Sequence, residues 1–247
     1  MVLSALRGAL GFLTRAPVGR DAAAWDAFRA TPAAFPLAGY PVGLALAVPL
    51  VLPVAPAVAA ACFVAWTYAV TGVAHADAVA DLGDAAAVHG TSDERRAAMT
   101  DSAVGVGAVL ALVLVLLGLF AAGLRFAALP WRALALVVTA EVGAKLATAT
   151  VACLGTPTHE GLGSAVAGGL DARALAAPVL VALPAAALAW PTLAGVVALA
   201  AAVGTGLAVL AWARRRLGGV SGDVLGATNE LARTVALLAG VVAWTHS

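Results

Sequence analysis

Charge is scarce in this chain of 247 residues: Asp, Glu, Lys and Arg together make up 11%, against 63% apolar residues. A soluble domain carries about 25% charged and roughly 45–50% apolar residues. An ordinary cytosolic enzyme and a disordered chain are therefore excluded. Aromatic residues are also few, at 6%, and Ala, Leu, Val and Gly fill the apolar share. Small side chains of this kind allow close helix contact inside a bilayer. The two cysteines, Cys62 and Cys153, lie in apolar stretches. They are too few for a disulfide scaffold or a zinc site of their own and read as small core residues. With a net charge of +1, the one basic block is Arg214, Arg215 and Arg216, beside an apolar run. That position suits a membrane flank, so no nucleic-acid partner is expected. No cleavable signal peptide is expected either: residues 1–13 are apolar but interrupted by Arg7, and a charged segment follows. They are too short to span a bilayer and read as an amphipathic surface helix.

Long apolar runs are abundant instead, and the mean hydropathy is +1.00. A bilayer requires about 17–25 apolar residues per helical crossing. Seven candidate runs occur, at 37–52, 57–74, 104–124, 131–154, 175–190, 193–212 and 224–244. The first is punctuated by Pro41, Pro49 and Pro53, as a kinked or re-entrant segment would be. The fifth and sixth are joined through Pro191 and Thr192, as in a tight helical hairpin. The expected fold is all-α: a polytopic membrane helical bundle of about seven transmembrane helices with an N-terminal interfacial helix. It forms a single domain over residues 1–247, with residues 1–34 as the interfacial segment. Polar residues concentrate at 14–34, 75–103, 155–173 and 213–223. With the N-terminus in the cytoplasm, Arg7, Arg15, Arg20, Arg29, Arg95, Arg96, Arg173 and the arginine triplet fall inside, and Arg125 and Arg132 outside. Trp131, Trp190, Trp212 and Trp244 then sit at segment ends, as an interfacial belt does. The motif loops 75–103, 155–173 and 213–223 share the cytoplasmic side of a cell membrane in this reading.

The segment from His75 to Asp84 carries the strongest chemical signal. Asp77, Asp81 and Asp84 are spaced i, i+4, i+7, within roughly 60° of one helical face. The segment follows directly on an apolar run, so the helix is expected to continue into it. Carboxylates so aligned repel one another, and a divalent cation removes the conflict. Oxygen ligands without cysteine favour Mg²⁺ or Mn²⁺. The bland alternative is a helix end surfacing into water. His75 faces away from Asp77, either toward a phosphate or a neighbouring loop, or as a satisfied buried histidine.

Further polar stretches follow. Thr91 and Glu94 have capping-box spacing, with Arg95 and Arg96 next. Asp101, just before an apolar run, either caps that helix or brings a fourth carboxylate to the first cluster. In the glycine-rich stretch from Gly218 to Glu230, Ser221 has the position of a helix cap whose N-terminus attracts an anion. Asp223 and Glu230 share a face at i, i+7, and Arg233 is the natural partner for Glu230. Glu141 and the chain's single lysine, Lys145, stand i, i+4 inside an apolar run. They are either a structural pair or a functional intramembrane site. The stretch from Thr158 through His159 and Glu160 to Gly163 reads, by itself, as a polar turn.

In their order along the chain these stretches resemble the cobalamin synthase family, the adenosylcobinamide-GDP ribazoletransferases. The motifs are Phe35-Pro36-Leu37-Ala38-Gly39, His75 to Ala85, Met99 to Gly105, Glu160 to Gly163, and Gly218 to Ala227 with Glu230-Leu231 beyond. Together they cover essentially the whole chain. Ala78 and Ala85 stand where the family has glycine, Thr100 where it has lysine and Ala103 where it has arginine. Arg95, Arg96 and Lys145 are the cations available in compensation. The resemblance implies an integral membrane enzyme that is Mg²⁺-dependent. It implies attack by a ribose hydroxyl of α-ribazole, or its 5′-phosphate, on the cobinamide-side phosphorus of adenosylcobinamide-GDP, releasing GMP.

On that reading Asp77, Asp81 and Asp84 hold the metal, and Asp101 and Asp223 complete its shell or orient the acceptor. The substrate-binding set is His75, Arg95, Arg96, Lys145, Glu160, Gly219, Ser221, Gly222 and Glu230. The partners expected are these small molecules and the lipid bilayer; a second copy or other corrinoid-handling enzymes remain open. Two rivals exist. A CDP-alcohol phosphotransferase requires an Ala-Arg after its aspartates, which is missing after Asp84-Ala85. A cation transporter would place its acids at mid-bilayer.

Overall fold

The structure is a computed structural model that describes residues 2–19, 21–158, 160–168 and 170–247. Arg20, used above for orientation, and His159 of the polar turn lie outside the described residues. Among the described residues there is no strand, only an isolated parallel bridge between Pro157 and Val220. The all-α expectation is met, and each of the seven apolar runs is helical.

The N-terminal segment is a docked pair of helices, α1 (Val2–Leu13) and α2 (Ala22–Arg29). Ala5, Ala9 and Leu13 of α1 form a buried stripe at i, i+4, i+8, turned onto α2 and α3 (Ala34–Ala47). Asp21 caps α2 by accepting from the Ala23 and Ala24 N–H groups. Phe12, Trp25, Phe28 and Phe35 form a tilted aromatic cluster, with centroids 4.8–5.8 Å apart.

Helix α3 runs unbroken through Pro41 and ends in a 3-10 turn, Val48–Val51. Its neighbour is α8 (Ala135–Leu154), in which every residue from Leu136 to Cys153 is buried. Gly39 and Gly43 make their approach possible. A Cβ on Gly39 would stand 2.7 Å from the Cα of Val142, and one on Gly43 would stand 2.6 Å from the Cα of Val138. This is small-residue packing, the means by which helices associate where lipid removes the hydrophobic drive.

One expectation fails here. The helix after the second apolar run does not continue. It closes as α4 (Pro56–Thr71) and restarts as α5 (Ala74–Ala87), bent by 99°. Gly72, at φ +77°, makes the break and donates its N–H to the Tyr68 carbonyl. The stretch 75–103 is accordingly not a loop: it comprises α5 and α6 (Ser92–Thr100). The Thr91–Glu94 capping box holds the start of α6 as its spacing predicts.

The remaining helices are α7 (Val106–Phe126), α9 (Leu162–Ala167), α10 (Ala176–Ala186), α11 (Ala194–Arg216) and α12 (Gly222–Thr245). Helix α8 is the central post, packed by α3, α11 and α12. Among the described residues four stretches are long and apolar enough to cross a membrane: Ala34–Val51, Val106–Phe126, Trp131–Leu154 and Ala194–Arg216. The bent pair α4–α5 makes a fifth if it counts as one span. At 24 residues α12 reaches about 36 Å, but Asp223, Glu230 and Arg233 dilute its apolar character. Trp131 and Trp190 are exposed, as residues of an interfacial belt are.

Candidate active site

Helices α5 and α12 lie side by side, and their contact is close at Gly226. A Cβ there would sit 2.9 Å from the Ala78 Cβ and 3.4 Å from His75 Cδ2. This seam carries the acids. Asp77 is exposed on α5, Asp81 is half-buried one turn on, and Asp223 opens α12. Among the described residues no lysine or arginine pairs with any of the three. Burial, followed by repulsion from Asp77, Asp223 and Asp84, pushes the Asp81 carboxyl up to about 6. The cluster therefore holds more negative charge than the protein itself answers. No three acidic, histidine or cysteine side chains among the described residues are closed into a ready metal cage.

Asp84, one further turn along, is employed differently. Its two oxygens accept from the Gly105 and Ala108 N–H groups, each at 2.8 Å. It thus caps α7 from another helix, a favourable place for a carboxylate. Asp101 does not cap α7. It accepts from the Ala103 N–H inside its own turn and is exposed.

A cavity of about 200 Å³ lies beside the acids, lined by Arg96, Met99, Thr100, Thr158, Leu217, Gly219, Ser221 and Asp223. Ser221 caps α12 by accepting from the Val224 N–H at 3.3 Å, as its position predicts. The Pro157–Val220 bridge holds the glycine-rich loop, with Thr158 N–H donating to the Val220 carbonyl and Val220 N–H to that of Thr156. Arg96 donates to the Leu217 carbonyl and to Asp93, which brings α6 against the same loop. A second cavity, of about 800 Å³, lies near Trp131, Trp190 and Trp244. Trp244 stands some 30 Å along α12 from Asp223, so this cavity is remote from the acids.

Four of the predicted substrate-binding residues turn out to be internal or detached. Arg95 is buried and donates to the Ala85 carbonyl at 2.7 Å, which seals the end of α5. Lys145 and Glu230 are wholly buried, out of a substrate's reach. Glu160 is exposed and does not line the cavity, although Gly163 of the same strap abuts Gly222. Arg96, Gly219, Ser221 and Gly222 do come together at the cavity and the start of α12.

Behind the seam lies a sealed polar chain. Lys145 Nζ donates to Glu141 Oε1 at 2.5 Å and to Asn229 Oδ1 at 2.8 Å. Arg233 Nε donates to Glu141 Oε2 and its Nη1 to Glu230 Oε2, both at 2.7 Å, and the Tyr68 hydroxyl donates to Glu230 Oε1 at 3.1 Å. Asn229 Nδ2 meets His75 Nδ1 at 3.1 Å. Asn229 and Tyr68 escaped the sequence reading. Their signal was a polar group within an apolar helix, which marks a residue in need of a partner.

Comparison with known proteins follows the same line. The family model described as cobalamin-5-phosphate synthase matches residues 5–241. A relative from Halorubrum lacusprofundi is 54% identical, over the full length of both chains. One from Haloquadratum walsbyi is 46% identical over 99% of each chain, and one from Halobacterium salinarum is 48% identical over 74% of this chain and 92% of its own. All three bear the name adenosylcobinamide-GDP ribazoletransferase. No solved structure matches the chain. With nearly every residue of the chain inside the matched region, it belongs to the cobalamin-5-phosphate synthase family.

Proposed function

We propose that the protein transfers the adenosylcobinamide-phosphate moiety of adenosylcobinamide-GDP to a ribose hydroxyl of α-ribazole or its 5′-phosphate, with release of GMP. The hydroxyl oxygen bonds to the cobinamide-side phosphorus, the bond from that phosphorus to the GMP oxygen breaks, and the hydroxyl proton passes to a carboxylate. The observation that carries this reading is the uncompensated acid seam of Asp77, Asp81 and Asp223 beside a cavity bearing Arg96 and the α12 N-terminus.

The donor set fits Mg²⁺. This ion is usually held by one or two carboxylates together with substrate phosphates and waters, without an all-protein cage. Asp77 and Asp81, with no hydrogen-bond or ion-pair partner among the described residues, would hold it; Asp84, engaged with α7, positions α5 instead. Bound there, the ion would neutralise charge on the diphosphate. The remaining work falls to the chain. Arg96, the loop N–H groups of Gly219, Ser221 and Gly222 and the start of α12 bind phosphate oxygens. Asp223 is the acid that lines the cavity, and it accepts the hydroxyl proton. A 200 Å³ space takes the reacting end of a nucleotide and leaves the corrin outside. The arginines at this end (Arg95, Arg96, Arg214 to Arg216) favour a cytoplasmic face in a cell membrane.

The test is incubation of the purified protein in detergent with adenosylcobinamide-GDP, α-ribazole and Mg²⁺, followed by product analysis. Mg²⁺-dependent GMP release, lost at least a thousandfold in Asp81→Asn while the protein stays folded, is the expected result. Full activity in Asp81→Asn would remove the metal role.

A further inference from the structure

We infer that the buried chain Glu141–Lys145–Asn229 fixes the tautomer of His75, so that its imidazole presents an Nε2–H donor, and not a base, to a substrate phosphate oxygen. The inference rests on the reaction proposed above for the identity of the anion, and on geometry for the proton.

The proton can be traced outward from Lys145. Its ammonium is fully buried and bonded to the Glu141 carboxylate, so Nζ has only hydrogens to offer its other neighbours. Asn229 must therefore turn its oxygen toward Lys145, at 2.8 Å. The Asn229 amide nitrogen is then left facing His75 Nδ1, at 3.1 Å. An amide NH₂ donates only, so Nδ1 must accept. A ring nitrogen that accepts carries no proton, so the proton of the neutral imidazole resides on Nε2. One lysine charge thus sets a proton position two residues away, with each link dictated by donor and acceptor count.

Nε2–H is free for use. It has no hydrogen-bond partner among the described residues, and it is not among the sealed, unpaired side-chain atoms. Its neighbour Cδ2 faces Gly226, one turn after Asp223. The ring therefore lies at the α5–α12 seam, the seam that also carries Asp77, Asp81 and Asp223. A neutral N–H donor aids an anion there without forming an ion pair with Asp77 or Asp81 that would compete with the metal. His75 would be a substrate-touching residue; Asn229 and Lys145 are positioning residues that act through it.

The full chain, labelled with ¹⁵N-histidine in detergent, tests the proton directly, and a His75→Gln spectrum assigns the signals. The expected wild-type ring has a protonated Nε2 and a bare Nδ1 at pH 8 without substrate. In Asn229→Asp the new carboxylate accepts from Lys145 and from His75 alike, so the proton should move to Nδ1. In that variant kcat should fall at least a hundredfold, with KM within about threefold.

A second pair separates donor from base and does not depend on Asn229→Asp folding. The Gln amide nitrogen reaches the place of Nε2, whereas that of Asn reaches the place of Nδ1. His75→Gln should lose about tenfold in kcat and His75→Asn about a thousandfold. A wild-type ring protonated on Nδ1, or His75→Gln as inactive as His75→Asn, would overturn the inference. If the wild type forms no product from these substrates, the proposed reaction fails, while the spectra still decide the tautomer.

Discussion

Two clusters of charge lie side by side in this protein and are built on opposite terms. In the core, Glu141 and Glu230 meet Lys145 and Arg233: two acids, two bases, all sealed from water and hydrogen-bonded. At the α5–α12 seam Asp77, Asp81 and Asp223 gather with no cation among the described residues. Buried charge is expensive unless paired, so the first cluster is complete as it stands. The second is stable only because it keeps some access to water, and it gains most from a cation that arrives from outside. Completeness of pairing thus separates the charges that hold the bundle together from those that the proposed reaction assigns to a ligand. Residue type does not, since both clusters are made of carboxylates in or near apolar helices.

The largest effect should come from breaking the complete cluster. Arg233→Met leaves Glu141 with Lys145 alone and Glu230 with only the Tyr68 hydroxyl, so one negative charge stays buried without an answer. Removing one partner of a buried pair costs about 3–5 kcal/mol. Thermal unfolding in detergent should show that loss in Arg233→Met, and partial recovery in Arg233→Met/Glu230→Gln, which restores neutrality. Asp77→Asn should show none. Equal tolerance of Arg233→Met and Asp77→Asn would erase the distinction between the clusters.

Much of this contrast could be read from local spacing, and the parts that could not share one cause. Glu141–Lys145 at i, i+4, Glu230–Arg233 at i, i+3, the Thr91–Glu94 box and the Ser221 cap all form as their spacing predicts. Each is a contact within one helical turn, where the backbone alone sets the distance. The links that make the core a network cross between helices: Arg233 reaches Glu141 over 92 positions and Lys145 reaches Asn229 over 84. No periodicity encodes such a contact. The same reason explains Arg95, which points inward to Ala85, and Asp84, whose regular spacing with Asp77 and Asp81 disguises a cap on a helix 21 positions away. Gly72 is a different case. A single glycine between two helical stretches is compatible with continuation or with a break, and the packing of α5 on α7 and α12 decides for the break.

Asp84 sharpens the comparison because it belongs to the seam by position and to the scaffold by its bonds. Asp84→Ala strands two N–H groups at the start of α7, a loss of about 1–3 kcal/mol. Stability in detergent should fall accordingly, with Asp84→Asn in between because one acceptor oxygen remains. Activity should fall less in Asp84→Asn than in Asp81→Asn. The reverse pattern, unchanged stability with activity lost as completely as in Asp81→Asn, would return Asp84 to the metal set that its spacing suggests.

The smallest effect concerns the cation itself and needs no mutation to begin. A ligand that binds only the folded state stabilises it by RT ln(1 + [L]/Kd), about 1.4 kcal/mol at ten times Kd. For a chain of this size that is a rise of roughly 3–6 °C in unfolding temperature. Titration of the wild type with MgCl₂, at ionic strength held constant with NaCl, should produce this rise because Mg²⁺ relieves the mutual repulsion of Asp77, Asp81 and Asp223. The constant ionic strength matters: screening by salt alone weakens the same repulsion, and without it the two effects would look alike. Asp81→Asn should begin at a slightly higher unfolding temperature than the wild type, because one repelling charge is gone, and should respond little to Mg²⁺. A conservative change in the core pair, Lys145→Arg, should keep the full Mg²⁺ response whatever its own stability, since that cluster has no charge left to satisfy. An equal response in Asp81→Asn and the wild type would mean that the cation acts elsewhere, and the seam would lose its claim to be the incomplete member of the pair.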